Sequence, residues 1–216
     1  VGGAAPFTDY RWASGFAMMC NNTGRLLCLQ TGAGIPLPAT SPPAGAKKVF
    51  VTSETGSGDL TSWKAYADSS SSATSVEAGD AICNRKAAEA RLTGTYKAWL
   101  SDSGTDAITR LTSNGPWVRI DGILVAQDKT ALTNGLISGL LFTSIVQNEN
   151  GVYWSGQVWT GTNSDGTKNS VNCNNWADDT DSFQGRVGAT YIPTSNWTHD
   201  NSDFCNLERA IYCFED

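Results

Sequence analysis

Three stretches decide the fold: DAICNRKAAEARLTGTYKAWLSDS (residues 80–103), VWTGTNSDGTKNSVNCNNWADD (158–179) and DFCNLERAIYCFED (203–216). Cys83 opens this region on an expected helix, and Cys213 closes it three residues from the end of the sequence. Cys173 and Cys205 lie between them, around a middle rich in Gly, Asn and Trp. Cysteines nested in this way tie a long loop down covalently where a large core is lacking, and a loop so held can present a binding surface.

The 216 residues suit one generous domain with an appendage. Apolar residues make up 40% and charged residues 17%, enough to build a core and outside the composition of disordered chains. The net charge of −6 argues against nucleic acid, heparin-like polyanions and anionic membrane, each of which selects a basic surface. No apolar run approaches the roughly 20 residues of a spanning helix, so no membrane insertion is expected. Six cysteines with a single histidine and no Cys-x-x-Cys pair fit no zinc cluster. They favour disulfides in an oxidising compartment, hence a chain that is exported to the cell surface or beyond. The start at Val1 reads as the mature or excised end of such a protein, and the VGGAAP opening would suit a stalk carrying a homotrimer at a fibre tip.

Working outward, residues 1–46 read as an extension. Cys20 and Cys28 bracket a turn at Asn22-Thr23-Gly24, the pattern of a small hairpin. Residues 31–46 then hold Pro36, Pro38, Pro42 and Pro43 with no periodicity, as in a linker. The main domain is expected over 47–216. Lys47–Ser53 reads as a strand with Val49 and Val51 on one face. Gly79-Asp80 reads as a helix start, with Asp80 capping the first amides and Gly94 following the last turn. Strands are expected at Tyr96–Leu100, at Trp117–Ala126 with a break at Asp121-Gly122, and at Ala210–Phe214. Leu140–Val146 fits either a buried strand or a helical turn. The alternation of Val152, Trp154, Gly156 and Val158 predicts a strand over 152–159. Residues 161–172 and 174–185 are expected to be long polar loops.

These residues resemble the C-type-lectin-like fold, most closely its endostatin branch, and an uncharacterised bacterial surface-domain family of the same fold. The resemblance rests on Cys83 with Arg91 to Ser101, on Val158-Trp159-Thr160-Gly161 with Asp165-Gly166, on Cys173 with Trp176, and on Cys205 with Tyr212-Cys213-Phe214-Glu215. It implies an α+β architecture and the pairings Cys83–Cys213 and Cys173–Cys205, leaving Cys20–Cys28 by subtraction. The resemblance does not extend to the family's metal chemistry. The proline triplet of calcium-dependent sugar binding is missing, and Asn175-Trp176-Ala177-Asp178 echoes the second triplet only in part. The N-terminal histidines and arginine clusters of endostatins are missing too. The reactive cysteine pair of the fold's formylglycine-forming oxidases has no counterpart, since each cysteine has an expected partner.

Candidate ligand-binding residues gather in the loops. Asp178, Asp179 and Asp181 lie beside Trp176; Asp200, Asn201 and Asp203 lie beside Trp197; Trp159, Asn163, Asp165 and Asn175 complete the set. Three readings stay open for the carboxylates: a solvated loop with Asx-turns, hydrogen bonding to sugar hydroxyls, or a structural calcium, though the spacing matches no EF-hand loop. Trp159, Trp176 and Trp197 either stack on a ligand or pin their loops from within, whereas Trp99 and Trp154 are expected in the core and Trp117 as a loop anchor. The sequons at Asn21 and Asn196 matter only in a eukaryotic secretory pathway. Catalysis finds little support. His199-Asp200 has no nucleophile elbow to serve, and nothing but loop composition recommends Asp179 and Asp203 as a hydrolytic pair. The expected function is therefore non-catalytic recognition of a cell-surface glycan or protein without a cofactor, with a structural or protein-interaction domain lacking a sugar site as the rival.

Overall fold

A computed structural model describes residues 41–133 and 141–216. The expected Cys20–Cys28 hairpin lies outside them. Residues Pro42–Asp216 form one compact unit, a mixed α/β body with a single sheet, in keeping with the expected α+β class.

The strands are β1 (Lys47–Val51), β2 (Tyr96–Ala98), β3 (Trp117–Val118), β4 (Leu124–Ala126), β5 (Gln157–Trp159), β6 (Gln184–Ala189), β7 (Asn201–Phe204) and β8 (Ala210–Glu215). Their order is β4-β3-β1-β8-β5-β6-β7, with β2 also pairing on β8. The last strand is thus central: β1 and β2 run antiparallel to it and β5 parallel. Side-chain alternation divides β8 between two apolar clusters. Ile211 and Cys213 face one with Phe50, Ile82 and Trp159, while Ala210, Tyr212 and Phe214 face the other with Val49, Val51, Trp99 and Trp117. Burial on both faces explains why AIYCF reads as a nearly continuous apolar run.

The main helices are α1 (Lys64–Asp68) and α2 (Val76–Glu89). Helix α2 starts earlier than the sequence suggests, after Ser75, so Asp80 lies within it and is not its cap. The Asp80 carboxylate is drawn sideways instead. It accepts from the Ala98 amide at 2.9 Å and pairs with Lys97 at 2.8 Å and Arg110 at 2.7 Å, fastening α2 to β2. Cys83 and Ala87 face the core.

Two other expectations are corrected. Only Gln157–Trp159 of the 152–159 run is strand; Val152 and Tyr153 are 59% and 56% exposed, because Asn148 draws the Val152 amide into a tight turn. Trp154 is accordingly half-buried. Residues 141–146 form neither strand nor helix; all but the exposed Phe142 are buried, and single backbone bonds tie Leu141 to Pro193 and Phe142 to Val125.

Both disulfides implied for the main domain are present. Cys83–Cys213 joins α2 to β8 with a Cα separation of 5.4 Å, and Cys173–Cys205 joins the loop region to the end of β7 at 5.6 Å.

Candidate functional site

The loop region is built on the hairpin of β6 and β7, paired from Gln184↔Phe204 to Val187↔Asn201. Before it, residues 173–176 form a left-handed turn in which Cys173, Asn174, Asn175 and Trp176 all have φ between 49° and 62°. Non-glycine residues seldom hold this conformation, at about 1–2 kcal/mol each. Three restraints keep it here. Cys173 is bridged to Cys205. The Asn172 carboxamide accepts from the Asn175 amide at 3.0 Å. The Trp176 indole is buried and donates to the Ser101 carbonyl at 2.9 Å.

The three loop tryptophans are all interior, so stacking on a ligand is corrected to pinning. Trp159, Trp176 and Trp197 have 0% exposure. Trp159 donates to the Gly56 carbonyl at 3.0 Å and lies 6.1 Å from the Trp176 ring. Trp197 sits between Trp99 at 4.9 Å and Tyr212 at 5.5 Å. The physical reason is economy of burial: one indole removes a large apolar surface from water and gives a short loop a deep anchor. Trp117 is likewise a buried anchor, on β3, donating to the Glu215 carbonyl.

The polar candidates mostly serve their own loops. Asn163 donates to the Lys168 carbonyl at 2.9 Å and accepts from Asn169 at 2.7 Å. Asp165 accepts from the Thr167 amide and hydroxyl, which hold its carboxyl below the usual range. Asn175 accepts from the Ser103 amide. Asp178 accepts from the amide and hydroxyl of Thr180, Asp200 from Asn196, and Asp203 from Arg209 at 2.7 Å. Asp179, Asp181 and Asn201 are exposed. The disulfide brings the 177–184 loop beside β7, but among the described residues no three His, Cys, Asp or Glu side chains gather in a way that could hold a metal ion. His199 is half-buried, and burial and the Arg186 charge push its pKa down while Asp165 opposes them.

Sequence reading missed two residues. Phe183 and Phe204 are 46% and 49% exposed and border an open groove of about 360 Å³ with Ser170, Val171, Ser182 and Gln184. Leu207, 38% exposed, follows β7. A signal was available: Cys205 is committed to the core, so alternation turns its neighbour Phe204 outward.

The molecule so described is a disulfide-bridged α+β domain whose loop face carries an open aromatic groove. The chain belongs to the family described as protein of unknown function (DUF1554), whose model matches residues 66–192. No curated protein matches it.

Proposed function

We propose that this is an exported, non-catalytic recognition domain of the C-type-lectin-like kind, which binds a protein at a cell surface through its loop face. One observation carries the reading: the indoles suited to sugar stacking are inside, whereas Phe183 and Phe204 are outside and share a groove. Exposed apolar patches rimmed by polar residues mark protein contacts, and Phe is among the residues enriched there. The nested bridges Cys83–Cys213 and Cys173–Cys205 support the lectin-like assignment and an oxidising compartment. Among the described residues no helix is long and apolar enough to cross a membrane. A single groove of this size binds weakly, which suits display in several copies, such as a trimeric tip.

The test is an array carrying both glycans and purified extracellular proteins, probed with the wild type and a Phe183→Ser, Phe204→Ser double variant. Binding to protein spots that the double variant loses, with its thermal unfolding unchanged, is the expected result. Binding confined to glycans, or binding that survives both substitutions, would overturn the reading.

A further inference from the structure

Strand β7 ends the sheet: among the described residues it pairs with β6 alone. The Cys205 amide donates to the Phe183 carbonyl at 3.1 Å. Alternation along an antiparallel ladder then turns the backbone groups of Asp203 toward β6 and those of Ser202 and Phe204 toward the open side. The ladder stops at Phe204, whose carbonyl accepts from the Leu207 amide at 3.0 Å. The open edge therefore offers the N–H and C=O of Ser202 and the N–H of Phe204, beside a groove bordered by the Phe204 ring itself.

Charge around this edge is mainly negative, although Arg186 of β6 stands opposite Ser202 in the ladder. Residues 177–184 and 200–208 hold Asp178, Asp179, Asp181, Asp200, Asp203 and Glu208, with no Lys or Arg. Arg209, next in sequence, is committed to Asp203 through its Nε at 2.8 Å and a second nitrogen at 2.7 Å. A second copy of the chain pairing through the same edge would set these carboxylates against their equivalents, on a molecule of net charge −6. Like charges placed opposite one another across strands destabilise the pair. The occupant this edge suits is basic.

We infer that β7 receives an extended, basic segment of the partner protein as an added strand, its alternate apolar side chains entering the Phe183–Phe204 groove. This rests on the recognition reading above and specifies its partner. Backbone bonds at Ser202 and Phe204 supply the register, the groove selects apolar side chains on one face of the incoming strand, and the surrounding carboxylates select Lys or Arg.

The experiment uses the full chain, labelled with nitrogen-15, and the probe acetyl-Lys-Val-Lys-Phe-Lys-Val-amide. Two comparison peptides replace every Lys by Glu or carry N-methyl groups at alternate amides. The expected result is saturable movement of the Ser202 and Phe204 amide signals with the basic peptide. Loss of one ladder bond by N-methylation weakens this about tenfold, an Asp179→Asn, Asp181→Asn double variant weakens it about three- to tenfold, and the Glu peptide does not bind. Equal binding of the N-methylated or Glu peptide, or no movement at Ser202 and Phe204, overturns strand addition. The array separates this failure from failure of the wider reading. Protein binding abolished by the phenylalanine substitutions alongside a silent peptide titration removes the strand mode and keeps the groove. Array binding indifferent to those substitutions removes both.

Discussion

Gly185 packs directly on the Cys173 sulfur: a Cβ at residue 185 would stand 2.8 Å from Cys173 Sγ and 2.8 Å from the Trp159 ring. A bridge and an indole, both fixed on other elements, close the space above one backbone position at the start of β6. Neither can retreat, because the sulfur is bonded to Cys205 and Trp159 is held by Gly56. Gly185→Ala should therefore overpack the site and lower stability by about 1–3 kcal/mol. Gly104→Ala is the control: the nearest atom to its Cβ is 3.6 Å away, so it should stay within about 0.5 kcal/mol of wild type. Urea midpoints of the two variants check the contrast.

The two bridges should differ in what their loss does. Cys83–Cys213 spans 130 residues and Cys173–Cys205 spans 32, so chain entropy alone gives about 5 and about 4 kcal/mol. Paired alanine substitutions should order the stabilities accordingly, with Cys83→Ala, Cys213→Ala the less stable. Local order should respond in the opposite sense. Without Cys173–Cys205 the left-handed turn keeps only Trp176 and the asparagine bonds, and residues 174–183 should become the first site of proteolysis. Under native conditions the same loop should resist cleavage in the Cys83→Ala, Cys213→Ala variant. Timed digestion with mass mapping of the fragments decides it.

Sequence reading fared best where one physical cause acts alone. The Lys47–Val51 and Ala210–Glu215 strands were legible because alternation or continuous apolarity is sufficient there. The two described bridges were legible only through family resemblance, since spacing does not set connectivity. Reading failed where tertiary contacts override local pattern. Asp80 looked like a cap, but Arg110, thirty positions on, gives it a use inside the helix. The 152–159 alternation was real in sequence, yet Asn148 folds its first half into a turn. None of the polar residues singled out in the sequence lines the Phe183–Phe204 groove. Whether an Asp or Asn in a loop faces a ligand or its own backbone depends on hydrogen bonds two to four residues away, and composition does not encode that choice. The tryptophans misled in the same way, because an indole in a polar loop looks the same whether it pins or binds.

At the Asp80–Arg110 pair a buried charge decides stability. The Asp80 side chain is 11% exposed and that of Arg110 is 7%. Arg110 also donates to the Ala98 carbonyl at 2.7 Å and the Val76 carbonyl at 3.2 Å, so it joins α2, β2 and the short helix α3 (Ala107–Arg110). Asp80→Ala strands the guanidinium in a nearly dry site and should cost about 3–5 kcal/mol. Adding Arg110→Met to Asp80→Ala should recover part of that loss, because the unpaired cation goes with it. Non-additivity in a double-mutant cycle by urea denaturation is the measurement, and strict additivity would show that the pair is not coupled.

His199 should make stability respond to pH near neutrality. It is the chain's one histidine, and burial first, then the positive charge of Arg186, pushes its pKa below that of an ordinary histidine, with Asp165 opposing. The unfolded chain therefore takes up the proton at higher pH than the folded one. Stability is full above about pH 6.5 and declines as pH falls through the folded imidazole's lower pKa, since the unfolded state binds more protons across that window. The depressed carboxyls of Asp165 and Asp216 act in the same direction but only below about pH 4, the range in which unfolded aspartates titrate. The two effects are thus separated on the pH axis. Urea midpoints between pH 8 and pH 5 should fall in the wild type and stay level in His199→Gln, with both proteins weakening together in stronger acid. Proton resonances of the single imidazole, followed through the same range, should give a midpoint below that of a free histidine peptide; a midpoint at or above it would remove the basis for the expected slope.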